Sequence, residues 1–425
     1  MDRLASGAWL ERELVTFVAV VMLAGAIAAL GLLLVTANGT LDLYNRPLGN
    51  DFASFFSAGR LALDGQPAAA YDWGLHFANQ RQVHGTDLAF PWSYPPTFLV
   101  VVTVLATLPY VWAWLVWQGT SLLVAAAVLS KVLPGPRTLI LGIAFPAVLI
   151  CVGHGQTGFL TAALLGAAVL TLQRSEIAAG LLFGLLAYKP QLGLIVPAVL
   201  LAGGHWRAII AATMTVLVSI LLTLLVWGLP VWEAFAASID VTRRIVLEAG
   251  NTGFEKFQSA FAWVRLLGGD IPTAYAAQSV VTLVTIVISV LVWRSEVSLN
   301  LKGAALLTGA LLSSPYVLDY DFVVLGMAIA FLVAHANTVG FLPWEKTLLA
   351  FGWSAPLMAR SLAKLAFLPV GLMALAATLT LVAIHSLVER KDITPNAGNQ
   401  GELSPPDDRS RPPSADLPTS SSRNS

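Results

Sequence analysis

The chain has 425 residues, of which 57% are hydrophobic and only 11% charged, and its mean hydropathy is +0.75; that composition excludes a soluble globular domain and reads as an integral membrane protein. Its 24 basic and 24 acidic side chains cancel to a formal net charge of zero, which argues against a nucleic-acid partner and leaves each charge to be judged by position. A single cysteine, Cys151, excludes an intramolecular disulfide and leaves the redox compartment open.

The first apolar run, Leu14 to Val35, is longer than a signal-peptide core and lacks a small-residue cleavage site, so it is expected to be a membrane helix. Further apolar segments fall at about 97–129, 138–152, 156–172, 177–188, 190–202, 208–228, 274–293, 303–312, 321–335, 347–358 and 366–387. The expectation is an all-α polytopic bundle of about 12 transmembrane or half-spanning helices, the shorter ones ending in polar flanks or cavities. Residues 97–129 are too many for one straight helix and carry Pro109 near the middle, so they form either one kinked span or two short ones.

Short loops that hold Lys and Arg stay on the cytoplasmic side. If 97–129 crosses once, Arg3, Arg12, Lys131, Arg137, Arg174, Arg207, Arg294, Lys302, Lys346, Arg390 and Lys391 all fall there. Arg360 and Lys364 break the pattern. The first loop (about 36–96), Gly153-His154-Gly155-Gln156, Tyr188-Lys189-Pro190-Gln191, a second loop (about 230–272) and Ser313 to Asp321 then face outward together. Residues 1–390 are expected to be one membrane domain, and 391–425, rich in Pro, Ser and Asp, a disordered polar cytoplasmic tail. The sequence shows no internal repeat and no inverted halves, which weakens a transporter reading.

The first outer loop looks folded. In NDFASFFSAGR, Phe52, Phe55, Phe56, Gly59 and Leu63 recur at helical spacing before Gly65 and Pro67, predicting a short amphipathic helix lying on the membrane with Asp51 at its start. Asp51 there is either an N-cap or a reactive carboxylate kept ionised by the helix start. Trp92 and Tyr94, in FPWSYPP, suit an aromatic belt or stacking on a sugar ring.

His154 has no other ligand at metal spacing, so hydrogen bonding is its default role. Lys189, beside a helix break, either meets an anionic head group or snorkels to water. Arg243, Arg244 and Lys256 either add charge to the same site or form a solvated face. Asp319 and Asp321 spell Asp-x-Asp, open to three readings: a cation site, a helix cap, or an ordered pocket. A phosphate-binding loop, a dinucleotide fingerprint, a zinc motif and a nucleophile elbow are all absent from the sequence.

Taken together, NDFASFFSAGRLALDGQPAAAYD, FPWSYPPTFLVVVTVLATLPYVWAWLVW, GHGQTGFLTAALL, GLLAYKPQLGLIVPAVLLAGGHWRA and SSPYVLDYDFVVL resemble glycosyltransferase family 87, polytopic enzymes of the GT-C class. The resemblance implies transfer of a mannose-like hexose or a pentose from a polyprenyl-phosphate donor to a glycan or glycolipid acceptor, on the outer face of the cytoplasmic membrane. It places the catalytic Asp of the first outer loop at Asp51, as general base of an inverting displacement. It also places Lys189, and less directly His154, at the leaving phosphate; Tyr94, Gln156, Arg243, Asp319 and Asp321 complete the expected substrate-binding set. The phosphate already leaves well, so no metal and no cofactor is expected. A transporter or lipid-linked sugar flippase is the alternative, although such proteins place ionisable groups inside their spans, and a structural scaffold would tolerate loss of Asp51.

Overall fold

A computed structural model describes the backbone of residues 1–393 and the side chains of residues 1–389. The tail expected over 391–425 therefore lies, apart from helical residues 391–393, outside the described residues. A turn of helix, α1 (Asp2–Ser6), precedes the long α2 (Arg12–Val35). The first loop holds α3 (Phe52–Leu63), a 3-10 turn Pro67–Tyr71 and α4 (Trp73–His84). Next come α5 (Pro96–Leu105), α6 (Tyr110–Val132), α7 (Pro136–Ile143), α8 (Pro146–His154), α9 (Gly158–Leu172) and α10 (Glu176–Leu185). Two 3-10 turns, Leu186–Tyr188 and Pro190–Leu192, lead to α11 (Val196–Ala202), α12 (Trp206–Trp227) and α13 (Leu229–Thr242). A π-helical turn Arg243–Glu248 and a 3-10 turn Phe254–Lys256 precede α14 (Ala260–Leu266), α15 (Ile271–Arg294) and α16 (Leu299–Leu312). The chain ends with a 3-10 turn Asp319–Phe322, then α17 (Val323–Val339), α18 (Glu345–Ala366) and α19 (Val370–Ile393).

Local chemistry explains many of the boundaries. Pro96, Pro136 and Pro146 stand in the first turn of their helices, where no amide donor is needed. Asp72, Ser175, Ser259, Asp270 and Ser298 each accept a hydrogen bond from a first-turn amide. The run 97–129 divides: α5 ends at Leu105, and Pro109 caps the start of the 23-residue α6. At 10 residues α5 is too short to cross a bilayer.

The described residues are all-helical apart from turns, loops and isolated bridges, and six of their helices are long and apolar enough to span a membrane. These are Arg12–Val35, Tyr110–Val132, Trp206–Trp227, Ile271–Arg294, Asp319–Val339 and Val370–Glu389. The pair α7 and α8, bent by 52°, gives a seventh if it is one broken span. The protein is a multi-pass membrane protein, and its remaining apolar helices are shorter. The expected segment 347–358 lies in the first part of α18, a 22-residue helix that begins with Glu345 and Lys346 and carries Arg360 and Lys364 beyond that segment. α9, α16 and α17 form the packed centre, whereas α2 and α12 turn most of their apolar surface outward, as lipid-facing helices do.

The surface-lying helix expected after Asp51 is a correction. α3 is buried on nearly every face, against α4, α5 and the Pro67–Tyr71 turn. Its rings fill an aromatic core: the Phe55 centroid lies 5.9 Å from Trp92, 5.1 Å from Tyr94 and 5.5 Å from Phe98. Gly59 faces the opposite wall, where any Cβ would collide with the Val102 carbonyl of α5. Trp92 is likewise no belt residue, being fully buried and stacked on Phe98.

Candidate active site

The Gly-His-Gly-Gln stretch turns the chain sharply. Gly155 adopts φ +67° and ends α8, while the Gln156 amide returns to the Cys151 carbonyl. A side chain at 155 would strike Phe52, so the turn also seats α8 on the start of α3. α6 fixes the other side, because Trp117 Nε1 donates to the Gly155 carbonyl at 3.1 Å and Gln118 Nε2 to the Gln156 carbonyl at 3.1 Å.

That packing aims two side chains at Asp51. Gln156 Nε2 donates to Asp51 Oδ2 at 2.8 Å, and Gln156 Oε1 accepts from the Tyr94 hydroxyl at 2.8 Å, which sets the orientation of the amide. His154 Nδ1 stands 3.6 Å from the same Oδ2. Asp51 makes no capping bond to α3, so the N-cap reading does not describe it. Its side chain keeps 23% of its surface open, and no described residue donates a hydrogen bond to Oδ1. Burial alone would raise the Asp51 carboxyl, but the His154 imidazole and the Gln156 amide outweigh it and hold the group below its ordinary value. The side chain is ionised at neutral pH.

Asp51 borders a cavity of about 520 Å³, within the size range of small-molecule sites. Tyr94, Gln156, Lys189 and Arg243 supply its other polar walls, and Phe55, Phe90, Phe235, Ile239, Val246 and Leu247 much of the apolar one. A lining that joins polar and apolar side chains suits a molecule with a polar head and an apolar chain.

The cations are engaged. Lys189 Nζ lies 2.5 Å from Asp321 Oδ1, 3.5 Å from Thr157 Oγ1 and 5.2 Å from the centre of the Tyr320 ring. Both partners are almost fully buried, so Lys189 neither snorkels to water nor carries an uncompensated charge. Asp321 Oδ2 accepts from the Leu318 amide at 3.1 Å, which makes it a turn cap as well. Arg243 pairs with Glu248 and with Asp240, the latter at 2.5 Å, while the exposed Arg244 pairs with Asp240. Glu248 also accepts from the Tyr275 hydroxyl at 3.0 Å, so the π-helical turn beside the cavity is tied down.

The structure brings Asp51, Tyr94, Gln156, Lys189 and Arg243, all singled out in the sequence, to the lining of one cavity. His154, Asp319 and Asp321 stand just behind it. Asp319 is not joined with Asp321 around a common centre: it pairs with Arg360 at 2.5 Å and accepts from the Tyr320 amide at 3.0 Å. Among the described residues no three His, Cys, Asp or Glu side chains converge as metal ligands would. Arg360 was missed as a site residue. Its signal was its misfit with the basic-loop pattern, and the structure gives the reason, since the guanidinium is needed beside Asp319 and His154.

The family model of glycosyltransferase family 87 matches residues 92–315, just over half of the chain. No curated protein and no solved structure matches it. The matched stretch holds Tyr94, His154, Gln156, Lys189 and Arg243, and begins after Asp51 and ends before Arg360.

Proposed function

The chain belongs to glycosyltransferase family 87, and from that premise we propose that it moves a hexose or pentose from a polyprenyl-phosphate donor to a hydroxyl of a glycan or glycolipid on the outer face of the cytoplasmic membrane. Membership makes it an enzyme that transfers sugars, working in the bilayer its helices span. The observation that carries the finer reading is the Asp51 carboxylate, with Oδ2 tied to Gln156 at 2.8 Å and Oδ1 free at the edge of a 520 Å³ cavity.

In the proposed reaction the acceptor hydroxyl gives its proton to Asp51 Oδ1 as its oxygen attacks the anomeric carbon. The new bond to the acceptor oxygen forms while the bond from that carbon to the phosphate oxygen breaks, and polyprenyl phosphate leaves with the electron pair. A single displacement inverts the anomeric centre. The apolar wall of Phe235, Ile239, Val246 and Leu247 is the natural bed for the first isoprene units. Lys189 is neutralised by Asp321, so it meets the phosphate with a hydrogen bond more than with net charge: an ammonium has three N–H groups, and Asp321 and Thr157 take two. Arg243, paired with Asp240 and Glu248, contributes to the same cavity in the same way.

The test is a transfer assay with purified protein and a panel of polyprenyl-phosphate sugars. Product formation with at least one donor, lost in Asp51→Asn while the variant stays folded, is expected. Sugar-lipid movement across vesicles without transfer would replace this reading with the flippase one.

A further inference from the structure

His154 has two unlike neighbours. Its Nε2 lies 3.4 Å from Arg360 Nη2. Its Nδ1, buried and without a hydrogen-bond partner, lies 3.6 Å from Asp51 Oδ2. A guanidinium only donates and stays charged at any working pH. The nitrogen facing it is therefore the one with the lone pair, and in a neutral imidazole the proton then sits on Nδ1.

Arg360 is not free to turn away. Its Nε donates to Asp319 Oδ2 at 2.9 Å, its Nη2 stands in an ion pair 2.5 Å from the same oxygen, and Asp319 is nearly fully buried. Nη2 carries two hydrogens, so the atom that ion-pairs with Asp319 still has one to offer His154. The Tyr320 ring, centred 5.7 Å from the imidazole, covers another side.

We propose that Arg360, clamped by Asp319, is a positioning residue that locks His154 in its Nδ1–H tautomer, so that His154 donates to Asp51 and does not take its proton. The role in transfer rests on Asp51 being the base, as proposed above. Two donors then share Oδ2, which leaves Oδ1 as the oxygen that receives the acceptor proton. With Nδ1 already carrying a hydrogen, a proton on Asp51 leaves to solvent or product and not through that nitrogen. The 3.6 Å gap at Nδ1 needs to shorten by only a few tenths of an ångström to become a hydrogen bond, a tightening usual when substrate docks.

The tautomer can be read without substrate. In purified protein with 15N-labelled histidine, held in lipid nanodiscs at neutral pH, the His154 signals are identified by their loss in His154→Gln. The wild type is expected to show a protonated Nδ1 and a bare Nε2. Arg360→Gln is expected to shift His154 to a mixture in which the Nε2–H form or the imidazolium dominates, and Arg360→Lys to recover part of the wild-type pattern. A wild-type His154 that is Nε2–H or imidazolium overturns the proposal, as does an Arg360→Gln spectrum identical to wild type. If Arg360→Gln does not fold, Asp319→Asn, which loosens the guanidinium, is read by the same criteria. The expected spectra in a protein that transfers no sugar would reject the proposed function alone.

Discussion

Gln156 and Asp51, 105 residues apart in sequence, meet in a 2.8 Å hydrogen bond from Nε2 to Oδ2. The bond joins the turn after α8 to the start of α3, and through Gln156 Oε1 it extends to the Tyr94 hydroxyl. A carboxylate held by one oxygen keeps the other free for chemistry, so the relationship is one of aim as much as of stability.

Gln156→Leu keeps the volume and removes the side-chain hydrogen bonds to Asp51, Tyr94 and the Thr157 amide. A bond to a charged acceptor is worth about 1.5–3 kcal/mol; if that hold aims Asp51, kcat for sugar transfer is expected to fall roughly 10- to 100-fold, and the melting temperature to drop as well because the Tyr94 hydroxyl loses its acceptor. Wild-type turnover in this variant would mean that Asp51 needs no such hold.

Asp51 itself sets the pH dependence. Its folded carboxyl lies below the ordinary value, so the basic form is present through neutral pH and is lost only as pH falls through that lowered value. The pH–rate profile of the wild type is expected to show no acidic limb from Asp51 between about pH 5 and 8. In Gln156→Leu the opposing effect of burial gains weight, and an acidic limb is expected to move upward towards that window. Asp51→Asn should lower kcat by about 100- to 10,000-fold, the usual contribution of a positioned base.

Lys189 and Asp321 form a buried pair whose halves depend on each other. Lys189→Met strands a carboxylate and is expected to cost about 3–5 kcal/mol, seen as a lower melting temperature. Adding Asp321→Asn removes the stranded charge while keeping an acceptor for the Leu318 amide, and should restore most of the stability. Activity should stay low in the double variant. Its full recovery would take Lys189 out of the donor site.

His76, on α4 behind the aromatic core, is fully buried, with its Nε2 3.1 Å from Ser54 Oγ. Burial pushes its imidazole from 6.5 down to about 3. Between those values the unfolded chain binds a proton that the folded one refuses, so folding stability is lost as pH falls below 6.5 and is unaffected above it. His76→Gln should flatten that acid-side decline in melting temperature. An unchanged slope would show that other groups cause it.

The all-helical membrane class and most helix positions were legible in the sequence, because apolar runs, prolines and capping residues act over a few neighbours. The residues of the Gly-His-Gly-Gln turn, the Tyr-Lys-Pro-Gln break and the Asp-x-Asp stretch stood out for the same local reason: polar groups at the ends of apolar helices have few uses. Which partner each would find was decided only by packing. Lys189 is a free cation in sequence and half of a neutral pair in space, because Asp321 lies 132 residues away along the chain and 2.5 Å away in the bundle. α3 looked amphipathic because Phe52, Phe55, Phe56, Gly59 and Leu63 recur at helical spacing, yet Ala53, Ser54, Ser57 and Ala58 are buried too, and Gly59 lets α5 approach closely. Arg360 fitted no local pattern, since its reasons, Asp319 and His154, lie on two other segments of the chain.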